Sequence, residues 1–336
     1  MSRFRVVLTN PTILPEGVDI LKREADVFWS EGPDEDSIIR CVREHQAQAV
    51  FVRVELITRN IFQCCPSLKI VQEHGIGCDN IDLSAAAEHG VMVLNIPGGT
   101  AVAVSEHAVM MILSLAQDLL GQERHLRETN RPQICAAPPV LLEGKNLLLI
   151  GFGNIGRKVA QKMSGIGMTV GVYDQYISQE VISAVGGRKI SSLEEGLRWA
   201  DVVSIHAPLN EETMHMIDAK QLRWMKKSAF LVNCSRGGLV NEAALYQALT
   251  AGELAGAGID VFVREPIVAE DTPLLSLPNV IASPHCAGAS LEGRARPAML
   301  GAQGILAALR GEMPKANLVN RAQLVECGTL PALEAG

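Results

Sequence analysis

Residues 144–174 read Gly-Lys-Asn-Leu-Leu-Leu-Ile-Gly-Phe-Gly-Asn-Ile-Gly-Arg-Lys-Val-Ala-Gln-Lys-Met-Ser-Gly-Ile-Gly-Met-Thr-Val-Gly-Val-Tyr-Asp. Residues 146–150 form a short apolar run, the pattern of a parallel strand covered on both faces. Gly151, Gly153 and Gly156 follow in the spacing G-x-G-x-x-G, and residues 157–164 then place Val159, Ala160 and Met163 on one helical face. A second apolar run, residues 168–173, ends on Asp174.

Each part of this unit has a physical purpose. Gly151 permits a tight strand-to-helix turn, Gly153 lets the backbone approach a pyrophosphate, and Gly156 lets helix pack close to strand. The helix N-terminus offers unpaired N–H groups to phosphate oxygens. A carboxylate at the end of the second strand suits the diol of an adenosine ribose and repels a 2′-phosphate, so Asp174 points to NAD over NADP. A nucleoside cofactor fits the same unit, so hydride chemistry needs separate support.

Working outward, 336 residues predict two domains. With 48% hydrophobic and 20% charged residues there is ample apolar surface to bury. A formal net charge of −7, with no basic run and no zinc-like spacing, argues against a nucleic-acid partner. The most apolar long run, residues 101–121, is interrupted by Ser105, Glu106, His107, Gln117 and Asp118, so no membrane span is expected. The N-terminal residues read directly into a strand without a leader-like apolar core, and a cytoplasmic location is the expectation. Eight cysteines show no C-x-x-C pair and read as reduced core thiols, with no metal site.

On either side of the glycine-rich unit, strands and helices alternate. Strands are expected at residues 5–9, 26–29, 49–52, 68–72 and 91–94, and helices at 15–23 and 34–44. Residues 73–82 form a glycine-containing loop, and one long helix is expected from Thr100 to about residue 128. Further strands are expected at 201–205, 229–233, 256–261 and 280–282, then a helix over 290–309 and a loose polar tail after Val325. This is the rhythm of an α/β protein with doubly wound parallel sheets.

Arg236, Glu265 and His285 stand at or beyond the ends of successive predicted strands. A guanidinium clamps a carboxylate bidentately and polarises a neighbouring carbonyl. An imidazole moves a proton near neutral pH. A carboxylate beside it fixes its tautomer and favours the protonated ring. Together the three supply what hydride transfer to or from a 2-hydroxy acid requires.

Six motifs in this order resemble the NAD-dependent D-isomer-specific 2-hydroxyacid dehydrogenases over residues 47–311. They are Gly75-Ile-Gly-Cys-Asp-Asn-Ile-Asp82, Gly151-Phe-Gly-Asn-Ile-Gly156, His206-Ala-Pro-Leu209, Asn233-Cys-Ser-Arg-Gly-Gly238, Asp260-Val-Phe-Val-Arg-Glu-Pro266 and Ser283-Pro-His285. The resemblance implies a Rossmann NAD-binding domain, residues 103–291, inserted into a flavodoxin-like substrate domain, residues 1–102 plus 292–336. It implies His285 as acid/base, Glu265 as its partner and Arg236 as substrate clamp. Asp260 would hold the nicotinamide carboxamide and Asp174 the adenosine ribose. Asn154 and Ile155 would offer backbone N–H groups to the pyrophosphate held at Gly151, Gly153 and Gly156, while Ala207, Pro208 and Cys234 line the cofactor cleft. Backbone N–H groups of Ile76 and Gly77 would bind the substrate carboxylate, and Arg53 stands where some members place a substrate arginine. A homodimer acting on a small 2-hydroxy or 2-keto acid is implied, with the long helix after Thr100 suited to the dimer contact.

Departures from the family pattern narrow this. Relatives that handle phosphoglycerate tend to carry arginine at the position of Glu73, where a carboxylate would repel phosphate. Ala287 and Ser290 replace a usual glycine and threonine, and the tryptophan often found before the nucleotide domain is missing from residues 131–143. Without a C-terminal regulatory domain, feedback control by serine is not expected. A non-catalytic NAD(H)-sensing protein of corepressor type shares this fold and triad and is the alternative.

Overall fold

A computed structural model describes residues 3–129, 138–312 and 317–331. The chain divides into two compact units, Met1–Thr100 with Leu291–Gly336, and Ala101–Ser290. The first begins β1 (Phe4–Leu8), α1 (Pro15–Leu21), β2 (Ala25–Trp29), α2 (Glu35–His45), β3 (Ala49–Val52), α3 (Arg59–Cys64), β4 (Ile70–Glu73), α4 (Leu83–Glu88) and β5 (Met92–Leu94). The second runs α5 (Ala101–Ala116), α6 (Leu119–Thr129), β6 (Asn146–Ile150), α7 (Asn154–Gly165), β7 (Thr169–Tyr173), α8 (Gln179–Ser183), β8 (Arg188–Lys189), α9 (Leu193–Trp199), β9 (Val202–Ile205), α10 (Ala219–Leu222), β10 (Phe230–Asn233), α11 (Glu242–Thr250), β11 (Gly256–Ile259) and β12 (Val280–Ala282). The chain then returns to the first unit through α12 (Leu291–Leu309) and α13 (Arg321–Glu326).

Every pairing between these described strands is parallel, so both faces of each sheet must be covered by helices. In the second unit Leu147 and Leu149 of β6 pack with Met111 of α5 and Val159 and Met163 of α7. Leu148 and Ile150 face the other way, into a core with Leu197, Ile217 and Leu245. The period-two split explains why a strand buried on both sides reads as an unbroken apolar run. In the first unit β3 does the same, Val50 and Val52 packing with Ile38, Ile61 and Phe62, and Ala49 and Phe51 with Val18, Leu21 and Ile305.

Strand order positions the sites. The first sheet runs β2-β1-β3-β4-β5 and the second β12-β11-β10-β9-β6-β7-β8. Winding direction reverses between β1 and β3 in one, and between β6 and β9 in the other. At such points the loops beyond the carboxyl ends diverge and leave room for a ligand. Gly151 follows β6 and His206 follows β9; in the first unit Thr9 follows β1 and Arg53 follows β3.

One expectation is corrected. The helix predicted from Thr100 to about residue 128 is two helices, α5 and α6, bent by 56°. Asp118 takes a left-handed φ of 47° at the break. α5 buries Ala108, Met111 and Ile112, whereas α6 buries none of its side chains, so the two share no apolar face that would hold them in line. No single described helix is long and apolar enough to cross a membrane. The tail predicted after Val325 begins where α13 ends, at Glu326, just beyond the fully buried Leu324. Of the stretch noted for its missing tryptophan, residues 131–143, residues 131–137 lie outside the described residues.

Candidate active site

The three glycines of the nucleotide turn each meet a different constraint. Gly151 has φ +92°, and a Cβ there would stand 2.6 Å from the His206 carbonyl oxygen. A Cβ on Gly156 would stand 2.5 Å from the Gly151 carbonyl oxygen, so the helix lies directly on the turn. A Cβ on Gly153 meets nothing within 4 Å, and it would project into open space at the N-terminus of α7. No side chain caps that helix, so the N–H groups of Asn154 and Ile155 stand at its uncapped start. An open approach, uncapped N–H groups and a nearby carboxylate fit a dinucleotide pyrophosphate and its ribose.

Asp174 at the end of β7 closes this turn. Its Oδ2 accepts from Phe152 N at 2.8 Å, and its Oδ1 from Tyr176 N at 2.9 Å and Ile177 N at 3.2 Å. Across the switch point, Ala207 and Pro208 follow β9. His206 turns its Nε2 to Ser204 Oγ at 2.9 Å, and loss of hydration drives its pKa down to about 4, which leaves a neutral ring behind the glycine turn. Cys234 follows β10 with its thiol turned into the core, Sγ 3.9 Å from Met111 Sδ, and burial pushes its pKa upward.

Asp260 organises the segment that carries the histidine. Its side chain is 0% exposed. Oδ1 accepts from the Ser283 hydroxyl at 2.6 Å and Cys286 N at 2.9 Å, and Oδ2 from Ala287 N at 3.0 Å. His285 N–H donates to the Asp260 carbonyl at 2.7 Å. His107 of α5 adds Nε2 at 2.8 Å from Ser283 Oγ. Ligand atoms of His107, Asp260 and Cys286 lie within 4.8 Å of one another, but Ser283 bridges the first two, and the group reads as a hydrogen-bond relay.

These bonds hold His285 at φ +49°, left-handed backbone that costs a residue with a Cβ about 1–3 kcal/mol. The result is an imidazole whose Nδ1 lies 2.6 Å from Glu265 Oε2. The other carboxylate oxygen accepts Phe262 N–H at 3.0 Å, which fixes Glu265 itself. Burial alone would raise the Glu265 carboxyl; the His285 contact, the Phe262 N–H and the Arg236 charge outweigh it and hold the group below the usual range. With side chains 44% and 32% exposed, His285 and Glu265 remain accessible to a reactant.

Arg236 is brought to this pair by a glycine. A Cβ on Gly237 would lie 2.0 Å from the Phe262 carbonyl carbon, so only glycine lets the segment after β10 lie against the one that carries Glu265. Asn233 stiffens the turn, donating to the Arg236 carbonyl at 2.9 Å and accepting Ser235 N–H at 3.0 Å. Arg236 Nη1 donates to the Ser235 carbonyl at 2.8 Å. A cation, a proton-carrying ring and the carboxylate that orients the ring thus share one end of the second sheet.

The remaining candidates lie in the first unit. Among the described residues, neither Ile76 N–H nor Gly77 N–H has a hydrogen-bond partner, as an anion-binding loop requires. Glu73 is not an exposed repelling charge. It is 2% exposed, accepts Gly75 N–H and Asn80 Nδ2 at 3.1 Å each, and braces this loop. Burial pushes its pKa up to about 8, so it is largely protonated at neutral pH and the expected repulsion of phosphate loses its basis.

The sequence profile of the D-isomer specific 2-hydroxyacid dehydrogenase, NAD binding domain, matches residues 109–287. The chain belongs to the D-isomer-specific 2-hydroxyacid dehydrogenase family. It is similar to a glyoxylate reductase of Korarchaeum cryptofilum, 39% identical over 303 residues that cover 89% of this chain and 90% of the relative. It is 33% identical to a D-3-phosphoglycerate dehydrogenase of Methanocaldococcus jannaschii, covering 94% of this chain and 59% of that longer one. A crystal structure of D-lactate dehydrogenase from Aquifex aeolicus, complexed with NAD and lactic acid, matches with a TM-score of 0.80 at 28% identity, covering 91% of this chain and 96% of that one. This dehydrogenase is therefore an NAD-dependent oxidoreductase of 2-hydroxy acids.

Two parts of its site escaped the sequence reading. Ser283 was visible only as a neighbour of His285, and His107 lies 176 residues before it on another element, with no spacing to betray the contact.

Proposed function

We propose that this dehydrogenase reduces a small 2-keto acid to the D-2-hydroxy acid, with His285 as proton donor, Glu265 as its orienting partner and Arg236 as carboxylate clamp. The observation that carries the reading is the 2.6 Å contact between His285 Nδ1 and Glu265 Oε2, held beside Arg236 by the Asp260 network. When bound, NADH supplies the hydride for the carbonyl carbon.

The chain's own residues do the rest. Arg236 clamps the substrate carboxylate, so that one face of the carbonyl receives the hydride. His285, with Nδ1 committed to Glu265, presents Nε2 to the carbonyl oxygen and delivers the proton there. The ring returns to neutral imidazole as the alcohol forms, with Glu265 still holding Nδ1. In oxidation the same nitrogen takes the hydroxyl proton. Asn154 and Ile155 N–H groups hold the pyrophosphate and Asp174 the ribose. Exposed Met110, Leu113, Leu120 and Leu126 on α5 and α6 support a homodimer.

The test is NADH oxidation by purified protein against glyoxylate, pyruvate, hydroxypyruvate and 2-ketoglutarate. Turnover of at least one keto acid, lost in His285→Ala, is expected. Tight NADH binding with no turnover on any of them would point instead to a sensing role.

A further inference from the structure

We propose that His107 is a positioning residue for hydride transfer: through the Ser283 hydroxyl, its Nε2–H fixes the buried Asp260 carboxylate and with it the left-handed turn that carries His285. The proposal rests on the reading of His285 above and adds to it a residue that acts without touching the reacting atoms.

The direction of the hydrogen bonds follows from counting protons. Asp260 takes the Cys286 and Ala287 N–H groups on its two oxygens, as an accepting carboxylate does. The Ser283 hydroxyl therefore gives its single proton to Asp260 Oδ1, at 2.6 Å. Its oxygen is left with lone pairs only, so His107 Nε2, 2.8 Å away, must be the donor. The result is a one-way chain from N–H to O–H to carboxylate, in which each bond polarises the next. Among the described residues, His107 also supplies the one basic side-chain nitrogen within 4.0 Å of that carboxylate, at 3.6 Å.

The backbone places His107 for this. β11 carries glycine at 256 and 258, where a Cβ would stand 3.2 Å from Leu115 Cδ2 and 3.1 Å from Met111 Cβ. α5 therefore lies directly on the strand, Leu115 over Gly256 and Met111 over Gly258. Four residues of helix rise about 6 Å and two of strand about 6.6 Å, so the next pair in this register is His107 over Asp260. Ala108, Met111 and Ile112 are fully buried and hold the helix there. Ser283, in turn, is gripped on three sides. Its N–H donates to the Ile259 carbonyl at 3.0 Å, its hydroxyl bridges His107 and Asp260, and its carbonyl accepts His285 N–H at 3.1 Å. His285 follows two residues on, at φ +49°. Loss of the His107 bond frees the Ser283 hydroxyl to turn from Asp260, and the strained turn relaxes toward ordinary backbone. That moves the imidazole away from Glu265, and a misplacement of about 1 Å costs a reaction on the order of 100-fold.

The experiment measures single-turnover hydride transfer from NADH, in the full chain, to whichever of glyoxylate, pyruvate, hydroxypyruvate and 2-ketoglutarate the parent reduces. His107→Phe keeps a ring and loses the donor, and Ser283→Ala removes the bridge. Each should slow hydride transfer at least about 10-fold, with NADH affinity within about threefold of the parent. Because His107 acts through Ser283, the double variant should be no more than about threefold slower than the slower single one. His107→Gln, whose amide donates, should recover to within about threefold of the parent, a rescue that packing alone does not predict. Should His107→Phe not fold, Ser283→Ala decides alone. A rate unmoved in Ser283→Ala, losses that multiply in the double variant, or His107→Gln as slow as His107→Phe would overturn the proposal. His285→Ala would still be inactive in that case, which leaves the reading of His285 intact. No turnover by the parent on any of the keto acids would remove both.

Discussion

His285 Nδ1 and Glu265 Oε2 stand 2.6 Å apart, and that contact directs the other ring nitrogen of His285 toward chemistry. Glu265 is held by Phe262 N–H, and His285 by the buried Asp260 network, so both partners are fixed from behind. The pairing is thereby set before any substrate arrives, as preorganised acid–base catalysis requires.

Glu265→Gln keeps the shape of the side chain but removes its charge. The amide can present its NH2 group to Nδ1 and no longer holds the ring as the carboxylate does, so kcat should fall by about 100-fold while NADH affinity stays within about threefold of the parent. Steady-state kinetics and NADH titration check this; an unchanged kcat would mean that Glu265 does not act through the ring.

The nucleotide turn separates folding from binding. Gly153→Ala enters open space at an ordinary φ and should change stability by no more than about 1 kcal/mol, while NADH affinity falls at least about 10-fold. Gly151→Ala forces a Cβ onto the His206 carbonyl at positive φ and should cost more than about 2 kcal/mol. Thermal melting and NADH titration of the two variants measure both effects. Equal losses of stability would refute the distinction.

Asp260→Asn leaves an amide facing backbone N–H donors in a fully buried site. A stability loss of about 2–4 kcal/mol is expected, with faster hydrogen exchange at Cys286 and Ala287 and a drop in kcat. Unchanged exchange at those two amides would show that the loop holds itself.

Glu73 gives a pH dependence of known sign. Its folded pKa of about 8 lies above the ordinary carboxylate value of 4.5, so the folded state binds the extra proton between those limits. Stability should fall as pH rises through that window, by about 1.4 kcal/mol per unit, and level off above about 8. Glu73→Gln should flatten the slope and melt higher than the parent at pH 8. Parallel melting curves across pH 5–8 would contradict a protonated Glu73.

Much of this was legible in the chain because backbone demands are local. Three glycines and an aspartate at fixed spacing dictate a turn, and the structure gives each a separate steric or hydrogen-bonding reason. His285, Glu265 and Arg236 were readable as residue types at strand ends. What escaped depended on burial and long-range contact. Glu73 read as a charge that repels phosphate because sequence does not display desolvation. The α5–α6 break hid because Gln117 and Asp118 interrupt a pattern that otherwise remains helical. His107 gave no sign because its partner lies across the fold.

The most direct measurement is single-turnover oxidation of NADH by His285→Ala with whichever 2-keto acid the parent reduces. The expected result is NADH binding within about threefold of the parent and hydride transfer slowed by at least about 100-fold. Hydride transfer near the parent rate would contradict the role of His285, and with it the mechanism built on its contact with Glu265.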